Sequence, residues 1–215
     1  MDIIAIAERI GEGSTAALFG LITGMVFGVA AQRSNFCLRA ATVEFARGSL
    51  GPKVSVWLLT FSTAMVWVQL AQVLGLFRAA DARVMSVPGS WSGAVIGGLV
   101  FGVGMVLSRG CSGRLLVLAA TGNLRSVVAG LIFAVTAQMS LHGLLAPLRD
   151  RLASLWITGA ENVNLLAALR LPDWAGLVLG LGVAVLALIL SARNRIGAKV
   201  LIFASGVGFA VAVGW

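Results

Sequence analysis

Two cysteines, Cys37 and Cys111, each sit in a short polar interruption of an otherwise apolar chain of 215 residues. The first interruption reads Gln32-Arg33-Ser34-Asn35-Phe36-Cys37-Leu38-Arg39, and the second Ser108-Arg109-Gly110-Cys111-Ser112-Gly113-Arg114. Each cysteine opens a stretch of helical character, AATVEFA after the first and LLVLAA after the second. A helix N-terminus presents unpaired N–H groups and the positive end of its dipole, and both favour anions. Gly110 and Gly113 would let backbone approach a ligand with no side chain in the way. Arg33 and Arg109 add positive charge, with Ser34, Asn35 and Ser112 as polar contacts. Arg39 and Arg114 fit interfacial anchoring by snorkelling better. The chemistry these residues suit is recognition of a small anion.

The thiols narrow the kind of anion. A thiolate would repel an incoming negative charge at short range. A neutral S–H donates a weak hydrogen bond to a soft, sulfur-bearing anion and releases it readily, as conduction requires. On that reading Cys37 and Cys111 are successive relay points. A single membrane cysteine is ordinarily inert packing, which accounts poorly for a matched pair at two helix breaks. A Cys37–Cys111 disulfide stays open at this stage.

Other chemistry has little foothold. No Cys/His spacing suits zinc, His142 has no second ligand beside it and reads as packed or hydrogen-bonded, and no metal or cofactor is expected. Glu44 is expected to pair with Arg47 one turn on. There is no catalytic triad, phosphate loop or paired carboxylate, so an enzyme is not expected. The apolar runs hold no ionisable residue except His142 within them and Lys199 at an edge, with Gln69, Gln72 and Gln138 as the larger polar groups. Coupled carriers usually place ionisable groups inside their spans, so a channel-like path or relay fits better.

The elements that must hold these residues are membrane helices. The chain is 59% hydrophobic and 11% charged, with mean hydropathy +1.00, against about 25% charged in soluble domains. A bilayer core takes roughly 17–25 apolar residues per helix. Six stretches serve, at about 14–31, 54–77, 91–107, 126–146, 174–191 and 199–215. Segments 34–47 and 111–122 are too short or too charged to cross. Broken backbone at membrane depth survives only where protein or a water-filled cavity surrounds it, so both read as re-entrant half-helices. The expected fold is an all-α polytopic membrane protein with about six transmembrane helices and two re-entrant half-helices.

The net charge of +8 sits in connections between apolar runs, where it orients the chain in the bilayer rather than binding nucleic acid. Arg193, Arg195 and Lys199 place the 191–199 connection inside, and the balanced 147–173 connection suits the outside. The opening MDIIAIAERIGEG lacks the basic start of a signal peptide, so no cleaved signal is expected.

An offset of 74 residues lays GLITGMVFGVAAQRSNFC (20–37) over AVIGGLVFGVGMVLSRGC (94–111). Gly24, Phe27, Gly28, Ser34 and Cys37 then meet Gly98, Phe101, Gly102, Ser108 and Cys111. Chance alignment explains glycines and valines, but poorly explains both cysteines falling in register. Interrupted, repeated helices form midplane solute sites in many transporters. The expected organisation is a first membrane repeat over 1–80, a second over 81–155, and further spans over 156–215. Gly20, Gly24 and Gly28, with Ala94, Gly98 and Gly102, form small-residue stripes expected to bring helices together.

In QRSNFCLRAA (32–41) and the S-R-G-C-S-G stretch (108–113) after GGLVFGVGMVL (97–107), the sequence resembles the YeeE/YedE family of bacterial inner-membrane sulfur-transport proteins. The likeness covers about residues 14 to 146 well. It implies uptake of thiosulfate or a related sulfur anion, with Cys37 and Cys111 matching two cysteines thought to pass it on through S–H hydrogen bonds. A TusA-like sulfur-carrier protein is an implied partner for some members. The family pattern has a third cysteine in a later motif that this chain lacks, so the resemblance implies either a C-terminally truncated member or a half-type variant with a second membrane chain as a partner. A carrier of another sulfur or selenium species, and a membrane docking or sensing subunit, are the alternative readings of the same residues.

Overall fold

The computed structural model describes residues 11–76, 88–158, 172 and 174–214. Of the charges that balance the 147–173 connection, Glu161, Arg170 and Asp173 lie outside the described residues, as does the 1–10 opening. The helices are α1 (Glu12–Ser34), α2 (Leu38–Ala46), α3 (Pro52–Val73), α4 (Trp91–Leu107), α5 (Ser112–Ala120), α6 (Leu124–His142), α7 (Ala146–Ala153), α8 (Trp174–Arg193) and α9 (Ala198–Val213). No strand occurs among the described residues, apart from an isolated bridge between Ser90 and Ile157. Five helical stretches are long and apolar enough to cross a membrane: Gly13–Ala46, Pro52–Val73, Trp91–Ala120, Leu124–His142 and Trp174–Arg193. The protein is an all-α polytopic membrane protein. The sixth expected span, α9, is apolar but only 16 residues long, about 24 Å at 1.5 Å per residue.

The two breaks are built alike. α1 ends on Asn35 in the left-handed region (φ 51°), whose N–H donates to the Gln32 carbonyl while Phe36 N–H donates to that of Ala31. α4 is followed by Arg109, also left-handed (φ 57°). The hydroxyls of Ser34 and Ser108 donate back one turn, to Ala30 and Gly104, both at 2.7 Å. Cys37 and Cys111 are extended N-caps, and the helices they open, α2 and α5, are nine residues each. Those helices end before Gly48 (φ 74°) and Gly122 (φ 89°), where only glycine turns without strain. Residues 74 apart thus share a conformation from Ser34/Ser108 to Gly48/Gly122. The correspondence then slips, because α3 starts at Pro52 and α6 at Leu124. Pro52 and Gly51 open α3, whereas Asn123 opens α6 by accepting from Ser126 N–H at 3.2 Å.

α3 is the hub, packed against α8 and α9, and α9 also lies on α1. The close approaches run through glycines that sequence spacing did not single out. A Cβ on Gly208 would lie 2.7 Å from the Thr60 carbonyl, and one on Gly176 2.7 Å from the Gln69 side chain. Thr60 Oγ1 donates across to the Ala204 carbonyl at 3.2 Å. One buried cluster joins Ala30, Ala31, Val117 and Val207, and a second joins Val56, Leu59, Ala187 and Ala204. Phe36 packs against both, so the first break is fastened to the core by its own aromatic ring.

The glycines of the small-residue stripes make no close approach to another element among the described residues. Among the described residues, no atom of another element lies within 4 Å of a Cβ placed on Gly20, Gly24, Gly28, Gly98 or Gly102. α1 instead meets α9 where Ala30 faces Gly206, at 3.4 Å. Leu99, Val100, Val103 and Val106 of α4, and Leu131, Ile132 and Val135 of α6, are exposed. Apolar faces of this kind suit lipid. Glu44 also departs from expectation: its Oε2 accepts from Val54 N–H at 2.7 Å, capping α3 rather than pairing with Arg47. The ion pair among the described residues is Arg149–Asp150. His142 is exposed in the last turn of α6 rather than packed inside a span.

Candidate functional site

The N-termini of α2 and α5 converge on the two cysteines. Both are free; Cys111 is buried, 4% exposed, and Cys37 is partly buried. Their thiols lie within interaction reach of each other. Around the Cys111 sulfur stand the N–H groups of Leu38 and Arg39, from the opposite half-helix, and of Arg114. Around the Cys37 sulfur stand those of Ala40 and Cys111. The contacts are loose, since neither cysteine closes a side-chain cap bond to its own helix. First-turn amides have no intrahelical acceptor, so the pair of sulfurs sits in a field of donors from two helices. The sequence placed the cysteines as successive points; the structure makes them adjacent.

Beside this junction is a cleft of about 430 Å³. Gln32, Arg33 and Asn35 line it from the end of α1, and Arg114, Val117, Leu118 and Thr121 from α5 and the residue after it. The Arg33 guanidinium lies over the Phe203 ring of α9, 5.8 Å from its centre. Among the described residues, no acidic one lines the cleft. Arg114, which sequence reasoning favoured as an interfacial anchor, therefore shares a cavity with Arg33. Arg39 is not a simple anchor either, because its Nε is buried without a partner.

The remaining sequence-predicted residues scatter. Ser34 is 2% exposed and spends its hydroxyl on the end of α1. Arg109 is exposed. Gly110 is buried under Leu115, whose side chain would be 3.3 Å from an added Cβ, and Gly113 faces the Phe27 ring at 3.5 Å. A Cβ at either position would thus meet a side chain of the protein. Gly110 and Ser112 do border a different cavity, of about 260 Å³, between α4, α5 and α6. Thr121 and Phe203 escaped notice in the sequence, and Gln32 was named there only as the start of the first break. An offset of seven from Arg114 to Thr121 puts both on one face of α5, a signal that was available.

The family described as sulphur transport matches residues 33–210, taking in both breaks and every helix from α2 to α8. The chain belongs to the sulphur transport family. Among its relatives is a thiosulfate transporter, TsuA of Spirochaeta thermophila, 27% identical over 124 residues, which are 58% of this chain and 36% of that protein. TsuA of Escherichia coli is 33% identical over 95 residues, 44% of this chain and 26% of that protein. The chain thus matches about a third or less of the length of these curated relatives. The likeness read from the SNFC and GCSG motifs is the one these matches support.

Proposed function

We propose that this member of the sulphur transport family carries a thiosulfate-like anion across a bacterial cell membrane, handing it on at the Cys37–Cys111 pair. The observation that carries the reading is the convergence of two half-helix N-termini on two adjacent free thiols. A soft terminal sulfur can accept S–H hydrogen bonds from both thiols, and the surrounding amides lower the cost of its negative charge. Each such bond is weak, so the anion leaves as readily as it arrives. Adjacency makes the hand-off a single short step rather than a long relay.

The test is uptake of radiolabelled thiosulfate by cells lacking other importers and expressing this chain. Cys37→Ala and Cys111→Ala are each expected to lower uptake at least tenfold at matched membrane abundance. Uptake unchanged in both variants overturns the reading.

A further inference from the structure

We propose that the cleft between the end of α1 and α5 selects for a doubly charged oxyanion, with Arg114 as a specificity-determining residue and Phe203 as the positioning residue for Arg33. The proposal deepens the transport reading and rests on it only for the identity of the natural anion.

Three observations support it. First, two arginines and, among the described residues, no acidic one line a single cavity, together with Gln32, Asn35 and Thr121 as neutral hydrogen-bonding residues. Two arginines lining one cleft with no acid beside them favour a charge of two over a charge of one, because Coulomb energy grows with the product of charges. Second, Arg33 is held by a ring rather than by an acid. A carboxylate partner would fix the side chain but cancel its charge; an aromatic face fixes it and leaves the charge available. Third, Arg114 joins the cleft to the thiols. Its N–H stands at the Cys111 sulfur while its side chain lines the cleft. The arrangement separates two tasks: guanidinium forks suit a charged oxyanion end, and the thiols suit a soft sulfur end.

The proposal is tested by equilibrium binding to the whole chain in lipid nanodiscs. Labelled thiosulfate and sulfate serve as dianions, and thiocyanate as a monoanion of soft sulfur character. Arg114→Gln is expected to weaken both dianions about tenfold or more while changing thiocyanate by less than about threefold. Arg114→Lys, which keeps the charge, restores most of the preference. Phe203→Leu is expected to weaken the dianions about threefold, and to add nothing once Arg33→Gln is present. Unchanged unfolding midpoints and size-exclusion profiles in these variants show that the fold is intact. Sulfate and thiosulfate binding without thiosulfate passage leaves the cleft standing and removes the transport reading. Dianion and monoanion affinities that fall together in Arg114→Gln, or do not change at all, overturn the proposal, as does a wild-type chain that binds neither dianion.

Discussion

Asn35 and Arg109, 74 residues apart, hold the same left-handed backbone at the ends of two membrane helices, with φ 51° and 57°. Asparagine tolerates that region, while arginine is strained there by about 1–2 kcal/mol. Each residue turns the chain so that the next helix can begin three residues later with a cysteine in front of it. The strain at Arg109 predicts that Arg109→Gly is neutral or stabilising by up to about 1 kcal/mol, whereas Arg109→Val destabilises by about 1–3 kcal/mol. Thermal unfolding of the detergent-solubilised chain, followed by size-exclusion of the surviving species, measures both. A stabilising Arg109→Val would contradict the left-handed turn.

The adjacency of Cys37 and Cys111 predicts a specific response to oxidation. A diazene oxidant such as diamide should take one hydrogen from each thiol, joining the sulfurs and becoming the hydrazine. The product is an intramolecular disulfide, seen by mass spectrometry as a Cys37–Cys111 cross-linked peptide. Uptake should stop while the disulfide stands, because both S–H donors are gone, and return on adding dithiothreitol. Cys37→Ser and Cys111→Ser chains should form no such cross-link. Its absence in the wild-type chain under the same treatment would mean that the thiols do not meet.

Glu44 ties the first half-helix to the next span, since its carboxylate caps α3 at Val54 N–H. Loss of the charge in Glu44→Gln is expected to cost about 1 kcal/mol of stability, typical of a helix cap. Gly51→Ala should cost at least as much, because an added Cβ would meet Glu44 Oε1. Neither change touches the cysteines, so any fall in uptake reports on how firmly α2 is held. Arg47→Ala, by contrast, should leave stability within about 0.5 kcal/mol of the original.

Much of this was legible in the sequence, for a definite reason. Apolar runs free of charge announce spans, and the paired polar breaks announce half-helices, because both follow from local composition. The nine-residue lengths of α2 and α5 follow from Gly48 and Gly122, which stand at the same repeat position. What sequence could not supply was which faces meet. Gly24, Gly28, Gly98 and Gly102 have the periodicity of a packing stripe, yet the contacts fall on Gly176, Gly180 and Gly208. A stripe states that close approach is allowed, and only the three-dimensional arrangement states what approaches. Arg114 was misjudged on the same ground, since snorkelling and cleft-lining look identical until Arg33 is seen across the cavity.

The contrast among glycines gives the last prediction. A Cβ on Gly208 would sit 2.7 Å from the Thr60 carbonyl and 2.8 Å from the Ala64 amide nitrogen. Both are backbone atoms of α3, which cannot step aside without moving the helix. Gly208→Ala is therefore expected to destabilise by about 1–3 kcal/mol, the usual cost of overpacking, and to loosen α9 from α3. Phe203 rides on α9, so Gly208→Ala should also release Arg33 and weaken anion binding in the cleft. Gly24→Ala and Gly98→Ala meet no other element within 4 Å among the described residues, and are expected to be neutral or to stabilise by up to about 1 kcal/mol through helix propensity. Unfolding midpoints of the three variants in one detergent decide the matter. Marked destabilisation by Gly24→Ala or Gly98→Ala would mean that another helix, from a partner chain or a further segment, packs against those faces in the assembled protein.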